Sequence, residues 1–222
     1  MKRYQKPQMR VGATNRMAVR ILSLLMCCSL LLTGCGKEKE EQSFAELAEL
    51  MIECGVVICN DIYLGSGLDA DVPENFVPNP DKGTYYPVVS DRYTSIADLK
   101  DAAEAVFLPS TAEQWLYGDA FGEYPASGSD VSAAAMPLYK EIDGVLMVNT
   151  SFDGATAYGT EWLYDTLKVI EYSEESASVT IDTIYRDEKA ATVTVKFVNT
   201  EEGWRISTPL MQPSNDVSEW QE

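Results

Sequence analysis

The only strong candidates for nucleophilic chemistry in this chain are thiols, because it contains no histidine. Without an imidazole there is no Ser-His or Cys-His pair, no histidine-ligated zinc, and no side chain with an ordinary pKa near neutrality. The thiols are Cys27, Cys28, Cys35, Cys54 and Cys59. Cys54 and Cys59 stand five positions apart. On a helix that separation turns them about 140° around the axis, too far to bridge, so they read as small buried hydrophobes. A disulfide between them is the alternative if the segment is not helical. Carboxylates are abundant, 35 in all, and a glycosidase needs two of them. At that abundance chance pairs are inevitable, so a pair alone carries little weight. Asp165 and Asp182 fall inside expected strands, where they either pair with Lys168 or Lys196 or face solvent. Asp69, Asp71 and Glu74 suggest a calcium loop, but Pro73 and Glu74 stand where an EF-hand loop needs Asp or Asn and then Gly. No catalytic residue, cofactor or metal site is assigned on these grounds.

Cys35 has the most telling surroundings. Six basic residues and no acidic one precede it. Between Ile21 and Leu32 the chain is apolar except at Ser23 and Ser29. This is the n-region and h-region of a secretory signal, too short to span a bilayer comfortably as a mature helix. The run Leu32-Thr33-Gly34-Cys35 that closes it resembles the bacterial lipobox. That resemblance implies a diacylglycerol on the Cys35 sulfur and cleavage before Cys35, which becomes the new N-terminus. An uncleaved signal anchor with a chance cysteine is the alternative. Residues 1–34 are therefore expected to be a lipoprotein signal peptide. Residues 35–43 (CGKEKEEQS) are expected to be a disordered tether. The protein is expected outside the cytoplasm, lipid-anchored to the outer face of the bacterial membrane.

The whole chain carries a formal charge of −18. All six early basic residues leave with the signal, so a chain beginning at Cys35 has 11 Lys+Arg against 35 Asp+Glu, a net of −24 over 188 residues. Such a body repels nucleic acid, anionic lipid and anionic wall polymers. Its charge suits a basic partner, or simply solubility.

The expected elements form one α+β domain over 44–210, mainly helical over 44–118 and made of antiparallel strands over 136–208. Phe44, Leu47, Met51, Cys54, Ile58 and Ile62 predict a helix to Tyr63, with Ser43 as its N-cap. A Pro- and Gly-rich stretch follows, with a short edge strand near Tyr85–Val89. Ser95 and Asp98 predict a capping box for a helix over 96–107, and a short helix carries Trp115 and Tyr117. From Met136 the hydrophobic period becomes two. Asp143-Gly144 between apolar runs predicts a hairpin. Strands over 162–172, 177–185, 192–199 and 203–207 continue it as a meander. The helices are expected to pack on one face of this sheet, with a cleft between them. Fraying is expected from Pro209 on, with 211–222 a tail.

Three stretches together carry a family resemblance. They are Tyr85-Tyr86-Pro87-Val88-Val89 with Arg92 to Lys100, Pro137 to Leu146, and Gly203-Trp204-Arg205-Ile206-Ser207. In that order they resemble the bacterial D,L-endopeptidase inhibitors, the IseA-type proteins. The resemblance implies a non-enzymatic role, namely blocking the groove of cell-wall hydrolases of the NlpC/P60 cysteine-peptidase type. An acidic, aromatic-bearing surface suits such docking. The candidate partner-binding residues are Trp115, Tyr117, Tyr139 and Trp162, and their alternative reading is core packing. A second functional reading is an NTF2-like module that binds a small molecule or peptide between helices and sheet.

Overall fold

The computed structural model describes residues 37–64, 67–74, 84–124, 136–152, 160–185 and 191–210. The signal segment, Cys35, the turn at Arg186–Lys189 and the 211–222 tail lie outside the described residues. The chain divides into two compact units, Met1–Lys39 and Glu40–Glu222. Of the first, only the opening residues of the first helix are described.

The fold is α+β. Helix α1 runs over Lys37–Ile58 and continues as one wide π-helical turn, Cys59–Tyr63. It begins seven residues before Phe44, so residues 37–43 are helical rather than a disordered tether. The physical reason lies in those residues. Lys, Glu and Gln are too polar to bury but are strong helix formers, and they extend the ladder of a helix already held by packing. Ser43 is thus an interior residue and not an N-cap. Phe44, Ala48, Met51, Ile52 and Ile58 are buried, while Leu47 and Cys54 pack at the margin. The π turn shifts the helical phase so that Cys59, Ile62 and Tyr63 are all buried. Both cysteines are free thiols, and burial pushes Cys59 up to about 12.

Three short helices follow: α2 (Ile96–Glu104), α3 (Pro109–Trp115) and α4 (Tyr117–Phe121). The expected single helix around Trp115 and Tyr117 is thus two, and Gly122 closes the second with φ 76°. The Ser95–Asp98 capping box is present as expected. The Asp98 carboxylate accepts the Thr94 N–H at 2.7 Å, the Thr94 hydroxyl at 2.8 Å and the Ser95 N–H at 3.0 Å. Those bonds, led by the Thr94 N–H, hold Asp98 below the usual carboxylate range. Because the folded pKa is depressed, its stabilisation is present above the ordinary Asp range and is lost as pH falls through the folded value. Asp98→Ala should therefore melt below wild type at neutral pH, with the gap closing in acid. A gap that stays constant with pH would refute this account of the cap.

The strands form two sheets where a single meander was expected. Strands β1 (Tyr85–Pro87), β2 (Tyr139–Ile142) and β3 (Val145–Asn149) make a three-stranded sheet in the order β1-β3-β2. Strands β4 (Thr160–Tyr172), β5 (Ser176–Tyr185), β6 (Ala191–Thr200) and β7 (Gly203–Ile206) make a four-stranded meander in chain order. All pairings between these strands are antiparallel. The hairpin sits at Asp143-Gly144, with φ of 52° and 78°, the two left-handed positions of a type I′ turn. Helix α1 covers the larger sheet through Phe44, whose ring lies 5.3 Å from Tyr172, 5.4 Å from Phe197 and 4.8 Å from Trp204. The free edge of β7 is capped by the segment after α2, where Leu108 N–H donates to Ile206 and Ile206 N–H to Val106. Arg205, nearly buried, donates from Nε to the Glu104 carbonyl at 2.7 Å and so satisfies the C-terminal end of α2. The chain does not fray at Pro209. Leu210 is buried against α1, so close that a Cβ on Gly55 would lie 2.5 Å from its Cδ1.

Candidate functional site

Four aromatic residues stand out in the sequence as possible partner contacts, and the structure corrects three of them. Tyr117 and Tyr139 are 2% and 1% exposed, and Trp162 is 8% exposed, so none offers a face to a partner. Trp162 belongs to the core, and the two tyrosines each have a structural task. Tyr117 donates its hydroxyl to Glu104 at 2.8 Å, and the Lys100 ammonium, paired to Glu123 at 2.7 Å, lies 4.9 Å from its ring centroid. Tyr139 donates to the Ile62 carbonyl at 2.6 Å and accepts the Leu68 N–H at 2.8 Å. Burial raises both phenols well above the ordinary tyrosine value. Aromatic residues at alternating or helical spacing were needed to fill the core, and that need overrode any surface role. Trp115 is half-buried and lines a pocket with Cys59, Thr111 and Leu210. That pocket has a volume of about 10 Å³, room for about one water, whereas ligand sites span roughly 300–1,000 Å³. Cys35, the expected lipid site, lies outside the described residues.

The carboxylates singled out above have ordinary surroundings. Asp165 is exposed, and Asp182 accepts the Thr192 hydroxyl at 2.6 Å. Among the described residues neither forms an ion pair with Lys168 or Lys196.

The feature that sequence reasoning missed is one face of the three-stranded sheet. Along β3, Leu146 and Val148 point into the core, which sends Val145 and Met147 to the other side. The register places Ile142 opposite Val145 and Lys140 opposite Met147 on one flank. On the other flank Pro87 is opposite Met147, and continuing that register sets Val89 opposite Val145. Val89, Val145 and Ile142 thus form one row across the sheet, exposed by 61%, 47% and 43%. The segment Asp69–Asp71 pairs outside β1 through an antiparallel bridge between Ala70 and Val88. Asp71 N–H donates to Pro87 at 3.0 Å and Val89 N–H to Asp69 at 2.9 Å. Pro87 has no N–H to return, so this outer pairing is thin. The bridge puts the exposed Asp69 beside Val89 and the exposed Asp71 beside Pro87, on the same face as the apolar row. From β2, Lys140 brings its Nζ to 4.5 Å from the centroid of Tyr85 on β1, whose hydroxyl burial has pushed up to about 12.

The signal for this face is present in the sequence. Val145-Leu146-Met147-Val148 is apolar without interruption, which marks a strand apolar on both sides rather than one. A patch of this kind on a soluble protein commonly marks a contact surface. No helix among the described residues is long and apolar enough to cross a membrane. No protein-family model matches the chain, and no curated protein matches it either.

Proposed function

We propose that this chain is an extracytoplasmic lipoprotein, held to the membrane by Cys35, that binds and restrains a cell-wall D,L-endopeptidase of the NlpC/P60 type. The observation that carries the proposal is the order of its first residues: a basic segment, a short apolar run, then Leu32-Thr33-Gly34-Cys35. An anchored body with no imidazole and a strongly acidic composition is suited to act by contact. The likeness of roughly Tyr85 to Pro209 to the IseA-type inhibitors supplies the class of partner. The described thiols favour the same reading. Cys59 is sealed in the core with its thiol pushed up to about 12, and burial also raises Cys54.

Two measurements test it together. Full-length protein expressed in a bacterial host and labelled with a fatty-acid analogue should incorporate the label, and Cys35→Ala should abolish it. The purified lipoprotein, added to NlpC/P60-type endopeptidases acting on peptidoglycan, should slow their turnover. An intact N-terminus without an acyl group would remove the anchor from the reading. Unimpeded hydrolysis across the panel would remove the partner.

A further inference from the structure

The geometry points to the outer face of the β1-β3-β2 sheet as the docking surface of this protein, and to a protein partner whose contact patch is apolar at its centre and basic at its rim. The inference rests on the contact role proposed above, and it names the surface and the chemistry of what covers it.

Three observations converge on that occupant. The row Val89, Val145 and Ile142 is apolar and exposed at the hairpin end of the sheet, where Ile142 closes β2, Val145 opens β3 and Val89 follows β1. Such a row gains by being covered, because each exposed aliphatic side chain forgoes its burial free energy in water. Asp69 and Asp71 border the row on one side, on a segment held by the Ala70–Val88 bridge. They set carboxylates at the rim of the apolar row, where charge speeds encounter and selects partners more than it adds affinity. Finally, the chain as a whole has a formal charge of −18. A second copy approaching this face would bring like charge to like charge, and an anionic leaflet would do the same. A cationic, amphipathic protein surface is the occupant that both the row and its border favour. Lys140, opposite Met147 on the same face, sets one positive charge against the two carboxylates, with its ammonium 4.5 Å from the Tyr85 ring centroid.

Ile170, the remaining exposed aliphatic among the described residues, serves as the internal control. It is 53% exposed on the four-stranded sheet, at a register shift in β4 between Val169 and Glu171.

The test uses the full-length protein and three changes: Val89→Thr with Ile142→Thr and Val145→Thr, Asp69→Asn with Asp71→Asn, and Ile170→Thr alone. Threonine keeps the branched shape and strand preference while removing the apolar surface. Two probes are used, a panel of NlpC/P60-type endopeptidases and a synthetic amphipathic peptide of lysine and leucine. Binding is measured by calorimetry at low and moderate salt. The triple threonine variant should bind either probe at least about tenfold more weakly. The asparagine pair should flatten the salt dependence, and Ile170→Thr should bind like wild type. If the peptide behaves so and no endopeptidase binds, the face stands and the proposed partner falls. If the triple variant binds the peptide as wild type does, or if wild type binds neither probe, the face is not the docking surface. Wild-type dimerisation in sedimentation that the triple variant abolishes would assign the face to a second copy and overturn the inference. Matching melting curves for the triple variant and wild type ensure that lost binding is not lost folding. If the triple variant melts early, the asparagine pair decides: an unchanged salt dependence overturns the inference.

Discussion

Phe44→Ala is expected to lower the unfolding free energy by about 3–5 kcal/mol, the range for truncating a buried aromatic. Phe44 is 3% exposed and meets three rings of the four-stranded sheet, Tyr172 on β4, Phe197 on β6 and Trp204 on β7. The Phe197 contact is edge-on at 89°, the arrangement that places a positive ring edge over a negative face. Alanine would leave a ring-sized void between α1 and the sheet, which neighbouring aromatics cannot fill by rotamer changes alone. It would also weaken the first turns of α1, because those turns are polar and depend on the packed part of the helix to persist. Phe44→Leu should recover a good part of the loss. Chemical denaturation followed by tryptophan fluorescence measures both, since Trp204 is one of the contacted rings. A loss below about 1 kcal/mol, the size of an ordinary surface change, would mean that α1 does not seal the sheet.

Periodicity and turn chemistry identify most of this fold. The Asp143-Gly144 hairpin, the Ser95–Asp98 box and the four strands of the larger sheet follow from local rules, because each depends on residues a few positions apart. Ala177, Val179, Ile181 and Thr183 face inward on β5, as their alternation requires. The errors have a common origin in the choice between local composition and tertiary context. Lys37 to Ser43 is polar enough to be read as a tether, yet its residues favour helix once Phe44 fixes the following turn. Tyr117 and Tyr139 have the side chains that interfaces favour, but the same amphipathic ring suits a buried site where the hydroxyl finds a carbonyl. The division into two sheets depends on β1 pairing with β3 across about sixty residues of chain, which no short-range rule contains. The exposed Val145 on β3 was legible in the unbroken apolar run, but its neighbours Val89, just after β1, and Asp69–Asp71 depend on that same distant pairing.

Tyr139→Phe is expected to cost about 1–3 kcal/mol, because one hydroxyl serves two main-chain groups from different parts of the fold. It donates to Ile62 in the π-helical turn and accepts from Leu68 in the segment that leads to Asp69. Phenylalanine keeps the ring and its place in the core, so the loss reports the two unpaired main-chain groups and not a cavity. The contact is tight. A Cβ on Gly67, at φ +66°, would come 2.5 Å from the Tyr139 hydroxyl, which fixes glycine there on both steric and conformational grounds. The pH dependence separates this account from simple loss of packing. Burial raises the Tyr139 phenol above its ordinary value. A raised folded pKa means that the unfolded chain releases the proton first, so the stabilisation is complete below the ordinary tyrosine range and declines as pH rises through and beyond it. The difference between wild type and Tyr139→Phe should therefore narrow in alkali, where a packing defect would leave it constant. Binding gives a second discrimination. Since Tyr139 is sealed inside, Tyr139→Phe should bind a partner as wild type does wherever it remains folded. A folded Tyr139→Phe variant with weakened binding would return this residue to the interface and would require the outer sheet face to share that role.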